Sequence, residues 1–139
     1  MMGIIKSIPL FSYLLLANLA IFLIQGDKST ELLNTIIFQM DLFSGAIFNL
    51  SVNGLLLILA AIFLFIEIIK STRTNNASII DHMLSSLVFI GFLVIFIVMP
   101  GAASETYFVM MLMSLIDFIA GFTITITSAR KDFNLSNEL

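Results

Sequence analysis

The chain is poor in the residues that most often carry chemistry. Among 139 residues it has no cysteine, no tryptophan and one histidine, and only 11% of its residues are charged. Without cysteine it forms neither disulfides nor thiolate metal sites, and it has no cysteine nucleophile. His82 alone cannot supply the two imidazoles of a bis-histidine haem within one chain. A net charge of −3 without a basic run disfavours nucleic-acid binding.

Catalytic sequence patterns are missing as well. The sequence contains no recognisable Ser-His-Asp arrangement, metal-binding cluster, phosphate-binding loop or close carboxylate pair. We therefore expect no metal, no cofactor and no nucleic-acid partner, and the sequence favours a role that is not enzymatic.

Long hydrophobic runs dominate what is present. Hydrophobic residues make up 60% of the chain, and its mean hydropathy is +1.13, which indicates a protein embedded in lipid. The run at 32–69 would be ~57 Å long as one helix, nearly twice the hydrocarbon thickness, so we expect a break near Ser44 and Gly45. The sequence predicts an all-α integral membrane protein with one membrane domain (1–139). Its four transmembrane helices, at about 8–25, 46–69, 80–99 and 106–128, would form an antiparallel bundle.

A shorter helix is expected between the first two spans. Apolar residues recur there at helical spacing, namely Leu32, Leu33, Ile36, Ile37, Met40 and Phe43. The pattern predicts a short interfacial helix at about 30–43, lying on the membrane surface. Farther along, Pro100 and Gly101 should end the third span.

The basic residues indicate how the spans are oriented. Five of the six fall on one side of such a bundle: Lys6, Lys70, Arg73, Arg130 and Lys131. Only Lys28 falls on the other side. The positive-inside rule then predicts that both termini are cytoplasmic. A bacterial inner (cell) membrane is the expected location for so small and simple a chain.

Asp117 is the most conspicuous polar residue, because it lies near the middle of the fourth span. An acidic side chain at that depth costs roughly 2.5 to 3.5 kcal/mol, so it should face protein or water. It shares a small, polar helix face whose members are Met110, Ser114, Asp117, Gly121, Thr125 and Ser128. Asn18 and Asn53 are the expected partners, and with Ser114 they make up a candidate intramembrane site. Asp117 is either a titrating or ion-binding carboxylate, or a hydrogen-bonding group that fixes helix packing.

A second group of polar residues is expected at the cytoplasmic ends of the spans. Glu67 precedes Lys70 by three residues, so the two should pair at the end of a helix. Asp81 opens the third span, where a negative charge interacts favourably with the helix dipole. His82 beside it is either a pH-sensitive group or part of the packing.

Two function classes remain. The first is an accessory or assembly subunit of a larger membrane protein complex, which binds its partners through its transmembrane helices and is surrounded by lipid. The second is a small homo-oligomeric ion-coupled transporter or channel that uses Asp117. In size and span number the chain is similar to the small multidrug-resistance exporters. Those proteins carry an essential glutamate in the first span and are rich in tryptophan; this chain has neither, so no residue role carries over.

Overall fold

The computed structural model describes residues 8–72 and 76–137, with the backbone alone at 76–79, 128, 129 and 131–137. Helices account for most of these residues. In chain order the elements are α1 (Phe11–Gln25), α2 (Ser29–Asn34), β1 (Ile36–Asp41), β2 (Ile47–Ser51), α3 (Val52–Ser71), α4 (Asn76–Val98) and α5 (Glu105–Asn137). Short 3-10 turns at Gly26–Lys28 and Pro100–Ala102 lie between α1 and α2 and between α4 and α5.

Among the described residues, three helices are long and apolar enough to cross a membrane. The qualifying segments are Val52–Ser71, Ile80–Val98 and Glu105–Thr127. Helix α1 has 15 residues, which corresponds to ~22 Å at 1.5 Å per residue and falls short of a hydrocarbon core of about 30 Å. The structure therefore contains three candidate spans and an apolar N-terminal helix.

The helix ends follow local chemistry. Helix α4 ends at Val98, just before Pro100, as the sequence predicts, because proline cannot continue a helix. Helix α3 begins at Val52, later than the predicted start near 46, since the Oγ atom of Ser51 accepts a hydrogen bond from the Gly54 amide at 3.2 Å and caps the helix. Helix α5 continues past the predicted end near 128 to Asn137.

The predicted interfacial helix at about 30–43 is wrong. Only its first residues are helical, in α2, and the chain then forms an antiparallel hairpin of β1 and β2. The predicted break near Ser44 and Gly45 is the turn of this hairpin, where Gly45 has a φ of +81° that favours glycine. Helical spacing over so short an apolar run does not distinguish a helix from a strand, and the β-branched Ile36, Ile37 and Ile47 favour the strand.

The helices pack around α5, which contacts both α3 and α4, while α1 lies against α4 and α3. Glycine permits one of these contacts, because a Cβ atom at Gly91 of α4 would lie 2.7 Å from Leu15 of α1. This helical core has two ends of different character. The polar end is where α3 ends and α4 begins, and the hairpin end is where α4 ends and α5 begins.

Aromatic side chains fill the core toward the hairpin end. The ring of Tyr107 lies 5.5 Å from that of Phe92 and 5.6 Å from that of Phe22, measured between centroids. The Tyr107 hydroxyl donates a hydrogen bond of 3.3 Å to the carbonyl oxygen of Phe92, so its polar atom is satisfied within this apolar region. This half of the core is accordingly built from contacts between apolar and aromatic side chains.

Candidate functional site

A lysine and two carboxylates form an ion-pair network at the polar end. The Nζ atom of Lys70 lies 3.2 Å from Oε2 of Glu67 and 2.9 Å from Oδ1 of Asp81. Glu67 and Asp81 are only 3% and 4% exposed. The sequence predicts the Glu67–Lys70 pair, which is one turn of helix apart, and the structure contains it. It does not predict that Asp81 of α4 reaches the same ammonium group and so connects α3 to α4.

The same network holds the start of α1. The second carboxylate oxygen of Glu67 accepts a hydrogen bond from the Leu10 amide at 2.6 Å. Lys70 also donates to the carbonyl oxygen of Ile8 at 3.5 Å. Glu67 thus satisfies an amide that has no partner within its own helix, and its two oxygens both receive donors. Glu67 thus joins the start of α1 to α3, and Lys70 extends the network to Asp81 of α4.

His82 is buried beside this network, between α4 and α5. Its Nε2 atom lies 2.8 Å from the hydroxyl oxygen of Thr125, and its ring lies 5.9 Å from that of Phe122, measured between centroids. Gly121 leaves the space for the imidazole, since a Cβ atom there would overlap Nδ1 of His82. The small residue at position 121 therefore determines where His82 sits.

Asp117 lies deeper in the core, on α5. Its side chain is 5% exposed and that of Ser114 is 1% exposed. Within the described residues, neither Oδ2 of Asp117 nor Oγ of Ser114 has a hydrogen-bond partner. The hydroxyl group of Ser85 on α4 is the hydrogen-bonding neighbour of the Asp117 carboxyl group, and Asp117 also interacts electrostatically with Glu67, Asp81 and Lys70. Asp117 thus belongs to a buried polar cluster shared by α3, α4 and α5.

Asn18 and Asn53, the partners expected for Asp117, bond elsewhere. Asn18 is buried in α1, and its Nδ2 atom donates to the Leu14 carbonyl of its own helix at 2.9 Å. Asn53 lies at the hairpin end, where its Nδ2 atom is 3.2 Å from Oδ1 of Asn34. The cluster of Asn18, Asn53 and Asp117 envisaged from the sequence is therefore not joined by these hydrogen bonds.

The polar face of α5 was recognisable from sequence, whereas its partners on α4 were not. Met110, Ser114, Asp117 and Gly121 are buried as a shared face requires, and Thr125 is partly buried; the side chain of Ser128 lies outside the described residues. Ser85 was missed. Ser85 could have been identified from its position four residues after Asp81, which puts both residues on the same face of α4.

A surface pocket of about 270 Å³ lies at the hairpin end. Its lining consists of Phe22, Gly26, Asp27, Ser29, Thr30, Met99, Pro100 and Gly101. Asp27 is the one charged residue in this lining, and Ser29 and Thr30 are its other polar side chains. The polar end groups more ionisable side chains than this pocket does, and it is therefore the candidate site.

The side chains at the polar end are suited to forming ion pairs and to binding or transferring protons. In the part of the chain that the structure describes, no three His, Cys, Asp or Glu side chains are arranged to hold a metal ion. The cluster instead offers carboxylates, an ammonium group, an imidazole and hydroxyl groups. Comparison of the chain with protein-family models, curated proteins and solved structures finds no match.

Proposed function

We propose that this chain is an accessory or assembly subunit of a larger membrane protein complex. The observation that carries the proposal is the hairpin of β1 and β2, which projects from the helical core with its apolar side chains exposed. Every residue of β1 is exposed, as are Ile47, Phe48 and Asn49 of β2. Phe43, at the turn, is fully exposed.

One face of the hairpin is apolar. The cross-strand pairs Phe38–Leu50 and Met40–Phe48 alternate with the pairs Gln39–Asn49 and Asp41–Ile47. Because successive side chains of a strand point to opposite faces, the first two pairs share one face and the more polar pairs share the other. An apolar face of this kind favours a partner surface.

The backbone of the hairpin favours a protein partner over lipid alone. The sheet has two strands, so the outer edge of each strand has no strand beside it among the described residues. Hydrocarbon cannot satisfy the N–H and C=O groups of such edges. A protein that adds a strand or loop supplies both hydrogen bonds and apolar cover. An isolated two-stranded hairpin is also marginally stable in water, which is a further reason for it to dock.

The proposal includes a topology. Helix α1 lies beside α3 and α4 and serves as a fourth span, and local thinning of the bilayer accommodates its short length. Both termini then lie on the cytoplasmic side of a bacterial inner membrane. The distribution of basic residues supports this orientation, because among the described basic residues Lys28 alone lies near the hairpin end. The hairpin then faces the periplasm, where it meets its partner at the membrane surface.

The experiment compares two variants of the tagged, full-length protein purified from its native membranes in mild detergent. Phe48→Ser removes a large side chain from the apolar face, and Gln39→Ser changes the opposite face as a matched control. We expect defined membrane proteins to copurify in stoichiometric amount with the wild type and with Gln39→Ser, and to be lost with Phe48→Ser. Recovery of the chain alone, or of the same partners with both variants, would contradict the hairpin-mediated subunit role.

A second candidate function rests on a different observation. The buried Oδ2 atom of Asp117 has no partner among the described residues, and buried intramembrane acids often mark ion or proton pathways. The alternative is therefore a homo-oligomeric ion-coupled transporter or channel. Asp117→Asn keeps the shape of the side chain and abolishes its titration. Reconstituted vesicles whose ion flux is lost in this variant, with folding intact, would favour the alternative over the subunit role.

A further inference from the structure

The polar cluster contains more negative groups than positive ones. Three carboxylates, those of Glu67, Asp81 and Asp117, are nearly fully buried. Glu67 and Asp81 pair with the ammonium group of Lys70, which is the one cation of the cluster among the described residues, whereas Asp117 interacts with Lys70 only electrostatically. With all four groups ionised, the cluster would carry two uncompensated negative charges. His82 faces the cluster from α4 and interacts with Asp81 and Lys70. Like charges at such sites favour retention of a proton by one carboxyl group.

The hydrogen bonds identify which carboxyl group that is. Both oxygens of Glu67 receive donors, one from the Leu10 amide and one from Lys70. Asp81 receives the shorter bond of Lys70, at 2.9 Å. The ionised form of Asp117 is the least stabilised of the three, since its Oδ2 atom receives no hydrogen bond from the described residues. A buried anionic oxygen without a donor costs far more than a neutral carboxyl group in the same place.

We propose that Asp117 is a proton-binding site inside the membrane, neutral while Glu67 and Asp81 remain ionised around Lys70. A proton on Oδ2 converts an acceptor that lacks a donor into a donor. Ser114 Oγ lies one helical turn earlier on the same buried face and is not hydrogen-bonded to Oδ2 in this structure. A change of side-chain rotamer would allow its lone pairs to accept the proton of Asp117. The ligand of this site is therefore a proton, and the site does not depend on a subunit or a transport role.

The surroundings of Asp117 make the site accessible from one side only. Toward the polar end lie Ser85, Asp81 and His82, which are groups that exchange protons or form hydrogen bonds. Toward the hairpin end the core is filled by buried apolar and aromatic side chains, among them Met110, Met111, Phe92 and Tyr107. The proton of Asp117 thus exchanges with the aqueous phase at the polar end, and the apolar layer blocks a path through the membrane.

The site can be tested in the full-length protein reconstituted in lipid vesicles. The chain has five aspartates, Asp27, Asp41, Asp81, Asp117 and Asp132, so aspartate-specific 13C labelling gives few carboxyl signals. Infrared difference spectroscopy or solid-state NMR at neutral pH should detect one protonated aspartate. That signal should be lost in Asp117→Asn and retained in Asp27→Asn, the matched change in the exposed turn at the hairpin end.

Three results would overturn the proposal. The first is a wild type whose aspartates are all ionised at neutral pH, a result that needs no variant to fold. The second is a protonated signal that persists in Asp117→Asn. The third is a signal that follows sodium concentration at constant pH, which would make Asp117 a sodium site. As a second variant, Ser114→Ala should shift the frequency of the carboxyl band without abolishing it, and an unshifted band would remove Ser114 from the site.

Sidedness has its own measurement. In vesicles with the protein inserted in one orientation, hydrogen–deuterium exchange of the carboxyl group should follow the solvent on the polar side. Equal exchange from both sides would contradict the apolar barrier and favour a conducting path. Vesicles that hold a pH gradient in the presence of the wild-type protein are the expected companion result.

Discussion

The polar end and the hairpin satisfy their side chains in opposite ways. At the polar end, charged groups are buried and the ion-pair network gives them partners within the chain, as Glu67 has in Leu10 and Lys70. Oδ2 of Asp117 is the exception among the described carboxylates of this cluster. In the hairpin, apolar side chains such as Met40 and Phe48 are only partly covered by the chain, at 47% and 42% exposed. The first region explains how the helices are held together. The second region needs a membrane or a partner to cover its apolar side chains. The polar end therefore contributes to the stability of the fold, and the hairpin is the region suited to binding a partner.

Removing the shared cation Lys70 should lower the free energy of unfolding more than any other change at the polar end. Lys70→Met keeps the apolar stem but leaves Glu67 and Asp81 buried without their common partner. Loss of one member of a buried ion pair costs about 3 to 5 kcal/mol, and the partly exposed Lys70 should fall near the lower value. Unfolding by denaturant in detergent micelles measures the change. Lys28→Met, at the exposed turn after α1, is the control and should leave the unfolding free energy unchanged; equal effects of the two substitutions would contradict a structural role for the network.

A methyl group at position 121 should disturb the polar end less. Gly121→Ala places a Cβ atom against the imidazole of His82, and overpacking of this kind costs about 1 to 3 kcal/mol. His82→Ala removes the clash, so the double variant should lose much less stability than the two separate costs combined predict. A double-mutant cycle on the unfolding free energy measures this coupling. Strict additivity would show that Gly121 and His82 do not meet.

How much was predictable from sequence differs between the two regions. Hydrophobic runs and Pro100 predicted where α3, α4 and α5 lie, and the spacing of Ser114 and Asp117 predicted a buried polar face on α5. The Lys70–Asp81 contact was not predictable, because it joins two helices whose relative rotation depends on packing along their whole length. The hairpin was missed because its apolar residues fit both a helical period and a strand period over a short stretch. Strand propensity, above all that of the β-branched residues, then decides the structure.

Strain in the turn should affect the hairpin and leave the helices alone. Gly45 has a positive φ that costs other L-residues roughly 1 to 2 kcal/mol, and nothing lies near enough to obstruct an added Cβ. Gly45→Ala should therefore weaken the hairpin through the backbone alone. Hydrogen exchange should become faster at the amides of β1 and β2 while the amides of α4 keep their protection. Faster exchange in both regions would mean that the hairpin contributes to the stability of the core.

Substitution of Phe48, which should matter most for binding a partner, is expected to have the smallest effect on stability. Phe48 is 42% exposed and Phe92 is 0% exposed, so the same change at the two positions isolates the role of burial. Phe48→Ala in the purified chain should alter the unfolding free energy by about 0.5 kcal/mol or less, as surface substitutions do. Phe92→Ala should cost about 3 to 5 kcal/mol, because it leaves a cavity beside Tyr107. If Phe48→Ala lowers the free energy of unfolding as much as Phe92→Ala does, the hairpin belongs to the core of the chain and is not a free surface for binding a partner.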